Sequence, residues 1–245
     1  MERLASISIV IPAYNEERRL PATLRSILEY LRTRDWAPWE IVVVNDGSKD
    51  GTAAVAARFA AEHAGVRVLE NPGNRGKGYS VRHGMLEAQG DWALFTDADL
   101  SAPIEELDKM IAAARASGAS VAIGSRAVDR RLIAVRQSLF RETAGRIFNL
   151  LMRAVTGLPF ADTQCGFKLF ERNAVQQVFR RQRIERWGFD AEVLFIAQKF
   201  GYKIVEVPVR WSHSEGTKVS MFGDSVNMFL DLLRIRRNHV RGLYR

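Results

Sequence analysis

Short apolar runs alternate with stretches whose apolar residues recur at helical spacing. Ser6 to Pro12 is a β-branched run that reads as a buried strand, and Leu20, Leu24, Ile27, Leu28 and Leu31 follow on one helical face. Glu40–Val44 is a second strand, followed by an alanine-rich helix over Thr52–Ala64. Val66–Glu70 is a short third strand, Tyr79–Gln89 a helix stopped by Gly90, and Asp91–Thr96 a fourth strand. Pro103–Ser117 reads as a helix and Val121–Gly124 as another strand. This alternation predicts an α/β fold with a doubly wound, mostly parallel sheet and helices on both faces.

The second half has a different grain. Arg130, Arg131, Arg136, Arg141 and Arg146 punctuate a segment that becomes strongly apolar from Leu139 to Val155. Such a helix either packs on a core or lies in a membrane interface. Thr163–Phe170 is a turn and strand, Trp187–Leu194 opens a helix with Asp190 and Glu192 in its first turn, and Lys203–Trp211 is a strand that Pro208 marks as an edge. Residues 221–245 form a basic amphipathic helix with apolar Phe222, Val226, Phe229, Leu230, Leu233 and Ile235 and five terminal arginines. The expected division is a catalytic domain over 1–220 and a membrane-surface helix over 221–245.

In a parallel sheet every strand-to-helix loop opens on the carboxyl edge, where ligands bind. The loops after the first four strands gather Glu16, Asp46, Lys77, Asp97 and Asp99 on that edge. Asp97 and Asp99 stand at i and i+2, so on an extended backbone both carboxylates point to one side. Two hard oxygen anions completed by substrate phosphates suit Mg²⁺ or Mn²⁺, although Asp-Ala-Asp alone is equally a solvated turn. Gly73-Asn74-Arg75-Gly76-Lys77-Gly78 is neither a Walker loop nor GxGxxG, and its position favours a backbone-and-lysine contact to a diphosphate over a plain flexible turn.

The chain has 245 residues, 47% hydrophobic, with a single cysteine and a formal net charge of +8. One cysteine excludes an internal disulfide framework and fits a reducing compartment; Cys165 reads as a packed residue, with no histidine near it in sequence. No signal peptide and no apolar run of membrane-spanning length is evident. The positive excess favours anionic partners, and nucleic acid ranks below a lipid surface because RNA-module signatures are missing. The expected location is cytoplasmic, peripheral at the cytoplasmic face of a membrane.

Together, Ser-Ile-Val-Ile-Pro-Ala-Tyr-Asn-Glu-Glu, Val-Val-Asn-Asp-Gly-Ser-Lys-Asp, Asn-Arg-Gly-Lys-Gly, Asp-Ala-Asp and Asp-Thr-Gln-Cys-Gly-Phe-Lys-Leu-Phe resemble family 2 glycosyltransferases with the GT-A fold. The stretches Asp162–Phe170 and Glu185–Asp190 are most similar to the polyprenyl-phosphate branch, the dolichyl-phosphate β-glucosyltransferases above all. The resemblance implies that Pro12, Tyr14, Glu16 and Asp46 hold the donor's base and ribose, that Asp97 and Asp99 hold the metal and diphosphate, and that Arg126 with Arg136 or Arg141 binds the acceptor phosphate. Lys218 would close over the diphosphate. Asn45 departs from the usual Asp, Ser101 stands where mannosyl relatives often carry Gln, His213 lies where an Arg is usual, and the N-terminal anchor of eukaryotic relatives is not evident.

The implied reaction moves a hexose from a nucleotide diphosphate sugar to a polyprenyl or dolichyl phosphate with inversion, glucose from UDP-glucose being favoured. GDP-mannose is the alternative donor. A sugar hydroxyl in a cell-surface polysaccharide is the alternative acceptor, and would need Asp190 or Glu192 as base. A non-catalytic nucleotide-binding membrane-surface protein is the alternative of another class.

Overall fold

The structure, a computed structural model, describes residues 5–135, 149–212 and 223–245. The first half runs β1 (Ile7–Ala13), α1 (Leu20–Arg32), β2 (Trp39–Asn45), α2 (Thr52–Glu62), β3 (Val66–Glu70), α3 (Lys77–Glu87), β4 (Trp92–Thr96), α4 (Glu106–Ser117) and β5 (Val121–Ser125). A 3-10 turn at Arg130–Leu132 leads to β6 (Ile133–Val135), and residues 149–156 are helical (α5). Then come β7 (Phe167–Glu171), α6 (Arg172–Phe179), α7 (Phe189–Lys199), β8 (Ile204–Pro208), β9 (Trp211–Ser212) and α8 (Gly223–Val240).

Seven strands form one sheet in the order β3-β2-β1-β4-β7-β5-β8, and β6 pairs with β9 beside it. All neighbours in the large sheet are parallel except β7, which runs antiparallel to β4 and to β5. The strands read as continuous apolar runs because helices cover both faces. Ile7, Ile9, Ile11, Ile41 and Val43 point to one side and pack with Leu24 and Ile27 of α1 and Leu107 and Met110 of α4. Val10, Val42, Val44 and Phe95 point to the other and pack with Val81 and Met85 of α3, with α6 and with α7. Gly84 lets α3 come down onto that second face, since a methyl group there would overlap Val10 and Val44.

The doubly wound, mostly parallel fold expected from the sequence is what the chain adopts. β8 lies at the sheet edge, as Pro208 implied. Boundaries shift for local reasons. Asp91 stands outside β4 because its carboxylate accepts from Ser6 N (3.0 Å) and Ser6 Oγ (2.7 Å), and residues 103–105 form a turn before α4, closed by Glu106 N to Pro103 O at 3.0 Å.

The strand order reverses direction between β1 and β4, and at such a switch point the flanking loops diverge and leave a crevice at the carboxyl edge. β7 places the turn 162–166 beside the end of β4, with Thr96 opposite Phe167 and Phe95 opposite Lys168. α8 packs on α7: Leu232, Ile235 and Tyr244 are buried in the second core, while Phe229, Leu230 and Leu233 are exposed.

Candidate active site at the carboxyl edge of the sheet

Asp97 and Asp99 lie beyond the end of β4, at the switch point. They are not on extended backbone. Asp97 O accepts from Leu100 N at 3.1 Å, and Leu100 has φ of 45°, so Asp97–Leu100 is a turn. Alternation along a strand therefore does not set the two side chains, which corrects that step of the sequence argument; the turn sets them instead. The Asp97 carboxylate meets Lys77 Nζ at 2.5 Å. Asp99 Oδ1 accepts from Ser101 N at 3.0 Å, and Asp99 Oδ2 lies 3.9 Å from Arg19. Both acids are partly exposed.

Lys77 is the first residue of α3 and sits 5.6 Å from the Trp187 ring centroid. Burial opposes its charge, yet Asp97, Asp190 and Asp99 more than offset this and hold its pKa above the usual lysine range. The backbone of its loop is occupied. Arg75 N and Gly76 N donate to Asp46 (2.9 and 2.8 Å), and Tyr79 N donates to Glu185 O at 3.0 Å. Those three amides brace the loop, so what this loop turns toward Asp97 is the lysine side chain.

Asp46 is buried and also accepts from Asn71 Nδ2 at 2.8 Å. It therefore clamps the β3–α3 loop through three donors. Asn45 donates to Glu70 at 2.7 Å and its oxygen accepts from Ser48 N at 3.2 Å, a pairing in which an amide serves both ends. Pro12 pairs with Val44 near the end of β1, and half-buried Tyr14 follows it into the loop. Asn15, at φ of 53°, accepts from Lys49 N at 2.8 Å and ties the β1 and β2 loops together. Glu16 holds Arg19 in a two-pronged ion pair (2.7 and 2.8 Å). The hydrogen bond to Glu16 raises the Arg19 pKa against a burial cost, with Asp99 and Asp97 adding to it.

Arg126 follows β5 and grips Asp162 through Nε (2.6 Å) and Nη2 (2.9 Å), with its backbone N donating at 3.0 Å. The guanidinium lies 5.5 Å from the Trp211 ring centroid. An arginine has five donors, so this fork leaves others for an anion. Burial would raise the Asp162 carboxyl, but Arg126 outweighs it and holds it at about 2. Cys165 is buried, and burial with the nearby Asp162 charge pushes its thiol up to about 12, which fits a packed residue rather than a nucleophile. Gly166 follows it, and a methyl group there would displace the Asp97 carboxylate.

The two acids of α7 part ways. Asp190 is buried and ion-paired with Lys168 of β7, whose ammonium has no exposure and also donates to Cys165 O at 2.7 Å. Burial raises the Asp190 pKa, against the pull of Lys168 and Lys77. Glu192 does not face the crevice: it accepts from Arg183 N (3.0 Å), Ile184 N (2.8 Å) and Tyr244 Oη (2.6 Å).

Arg136, Arg141, His213 and Lys218 lie outside the described residues. Four residues of the site were not singled out in the sequence: Arg19, Lys168, Gly166 and Trp187. A lysine interrupting an otherwise apolar strand (Phe-Lys-Leu-Phe) was the one available signal for Lys168.

The signature of the glycosyl transferase family 2 domain matches residues 8–179. The chain belongs to that family. Among similar proteins are the dolichyl-phosphate β-glucosyltransferases of Drosophila melanogaster (38% identical, covering 98% of this chain and 77% of the relative) and of Homo sapiens (36%, 98% and 77%). A third, from Trichomonas vaginalis, is 38% identical over 94% of this chain and 72% of its own. Among solved structures, glucosyl-3-phosphoglycerate synthase of Mycobacterium tuberculosis in complex with Mn²⁺, UDP and its product superposes with a TM-score of 0.69. It covers 94% of this chain and 80% of the other at 20% identity. The same enzyme has been seen with Mg²⁺ and UDP. At that identity the likeness establishes the fold, which is the GT-A arrangement expected from the sequence.

Asp97 and Asp99 supply oxygen donors of the kind that Mg²⁺ or Mn²⁺ takes. Among the described residues no three His, Cys, Asp or Glu side chains come together as a metal cage. Two hard-oxygen donors at an open edge are instead what Mg²⁺ or Mn²⁺ uses when phosphates complete the shell.

The Arg126–Asp162 pair has a pH signature. Asp162 titrates at about 2 in the folded chain against an ordinary 3.8, so its stabilisation is full at neutral pH and lost as pH falls through about 2. Between about pH 4 and about pH 2 the wild type should lose about 2 kcal/mol more stability than Asp162→Asn in urea titrations. Parallel losses in the two proteins would mean that the pair does not hold Asp162 down.

Proposed function

We propose that the chain transfers glucose from UDP-glucose to the phosphate of a polyprenyl lipid such as dolichyl phosphate, with inversion at the anomeric carbon. The observation that carries the reading is the 36–38% identity, over 94–98% of the chain, to relatives named dolichyl-phosphate β-glucosyltransferases. The geometry agrees with it. The β1 and β2 loops carry Pro12, Tyr14, Glu16 and Asp46 around the place for a nucleoside, Asp46 and Glu16 acting by fixing the loops and Arg19. Asp97, Asp99, Lys77 and Lys218 are assigned to the diphosphate. Arg126, with Arg136 and Arg141, is assigned to the acceptor phosphate.

A phosphate monoester has a second pKa near 6 and is mostly dianionic at neutral pH. Its oxygen attacks the anomeric carbon, the bond from that carbon to the diphosphate oxygen breaks, and UDP leaves with the electron pair. No proton has to be removed from such an acceptor, so the chain's task is orientation and charge stabilisation. Asp97 and Asp99 would hold Mg²⁺ or Mn²⁺, which would supply charge neutralisation for the leaving group. Lys77 adds an ammonium on the same side, and Asp190, fixed by Lys168, adds to the electrostatic field that keeps Lys77 charged.

A second reading, transfer to a sugar hydroxyl, is favoured by one observation: Asp190 is buried with a raised pKa, which suits a base. One pair of variants separates the two. With radiolabelled UDP-glucose and dolichyl phosphate, label should enter the organic phase, GDP-mannose should label poorly, and Arg126→Ala should raise the acceptor KM roughly tenfold or more. If Asp190→Asn abolishes transfer while Arg126→Ala leaves it unchanged, the acceptor is a hydroxyl.

The acceptor's lipid chain requires the enzyme to work at a membrane. Among the described residues no helix is long and apolar enough to cross one. Exposed Phe229, Leu230 and Leu233 of α8 lie next in sequence to Arg234, Arg236 and Arg237, a pattern that suits peripheral binding to an anionic, cytoplasmic surface. The chain should sediment with anionic vesicles and much less with neutral ones, and Leu230→Glu with Leu233→Glu should weaken this at least about tenfold. Equal binding by both proteins would exclude α8 as the contact.

A further inference from the structure

Lys77 occupies a position that a metal site does not need. Its ammonium stands 2.5 Å from Asp97, one of the two carboxylates assigned to the cation. The side chain is mostly enclosed, with the Trp187 ring 5.6 Å away and Asp190 and Asp99 contributing to its electrostatic surroundings. Across the crevice Arg19 plays a looser version of the same part, 3.9 Å from Asp99 while gripped by Glu16. Each carboxylate assigned to the metal thus already faces a protein cation.

We infer that Lys77 is a placeholder cation, which suppresses metal binding to the nucleotide-free chain and couples the cation's arrival to that of the diphosphate. The inference rests on the reading of Asp97 and Asp99 as the metal carboxylates and says how that site is loaded. A divalent ion approaching Asp97 alone is repelled by an ammonium already seated 2.5 Å from the carboxylate. A nucleoside diphosphate changes the balance, because it brings two more anionic groups. Lys77 sits on a flexible four-carbon stem at the head of α3, and its loop backbone is pinned by Asp46 and Glu185 O. The ammonium is therefore the part of the loop that can move. Transferring it from Asp97 to a diphosphate oxygen frees the carboxylate for the cation and adds a contact to the leaving group. The coupling is reciprocal, so metal strengthens nucleotide binding by the same factor.

Mn²⁺ binding followed by electron paramagnetic resonance, with and without UDP, tests this without turnover. In the wild type, Mn²⁺ alone should bind weakly and UDP should tighten it by roughly a hundredfold. Lys77→Met should bind Mn²⁺ alone at least about tenfold more tightly than the wild type, and UDP should then add much less. Lys77→Gln removes the same charge with a hydrated side chain and should give the same gain, while Lys77→Arg keeps the charge and should behave as the wild type. Tight Mn²⁺ binding by the UDP-free wild type, or no gain in either neutral variant, overturns the inference and leaves the metal site standing. A wild type that binds no Mn²⁺ even with UDP overturns the metal site itself and the inference with it.

Discussion

A carboxylate taken out of water must be given a cation or a set of donors, or it will not stay ionised. That requirement organises the carboxyl edge of this sheet. Asp97 has Lys77, Asp190 has Lys168, Asp162 has Arg126, and Asp99 has Arg19 at longer range. The pairs differ in burial and so in purpose. Lys168–Asp190 is sealed and ties β7 to α7, while Arg126–Asp162 ties the end of β5 to the turn before β7 with its guanidinium partly exposed. Lys77–Asp97 and Arg19–Asp99 are partly exposed at the crevice, where an arriving diphosphate and cation can exchange partners with them.

Both ties depend on β7 being inserted antiparallel between β4 and β5. Entering the sheet in that direction, it brings the turn 162–166 to the carboxyl edge, alongside Asp97. Gly166 then lies against the Asp97 carboxylate, Cys165 O receives the Lys168 ammonium, and Asp162 receives Arg126. A parallel strand in the same place would deliver its preceding turn to the opposite edge. The break in the sheet's direction is thus what joins the second half of the chain to a site otherwise built from the first.

Much of this was legible in the sequence. Apolar runs bounded by Gly, Asn and Asp gave the parallel half strand by strand, and the loops that follow β1 to β4 placed Glu16, Asp46, Lys77, Asp97 and Asp99 on one edge. The direction of β7 was not legible, since five residues of Phe-Lys-Leu-Phe-Glu carry no sign of which way they run. The partner of Lys168 was not legible, because Asp190 lies 22 residues away on another element. The i, i+2 argument for Asp97 and Asp99 failed because β4 ends at Thr96 and a turn begins at Asp97. Arg19 was not legible as a site residue, since only the fold brings it to Asp99.

The central claim is that Asp97 and Asp99 serve the diphosphate rather than the nucleoside. Calorimetric titration with UDP and with uridine, in the presence of Mn²⁺, tests it most directly. The account predicts that Asp99→Asn weakens UDP roughly a hundredfold and leaves uridine within about twofold of the wild type. Equal weakening of both ligands, or of neither, would contradict it.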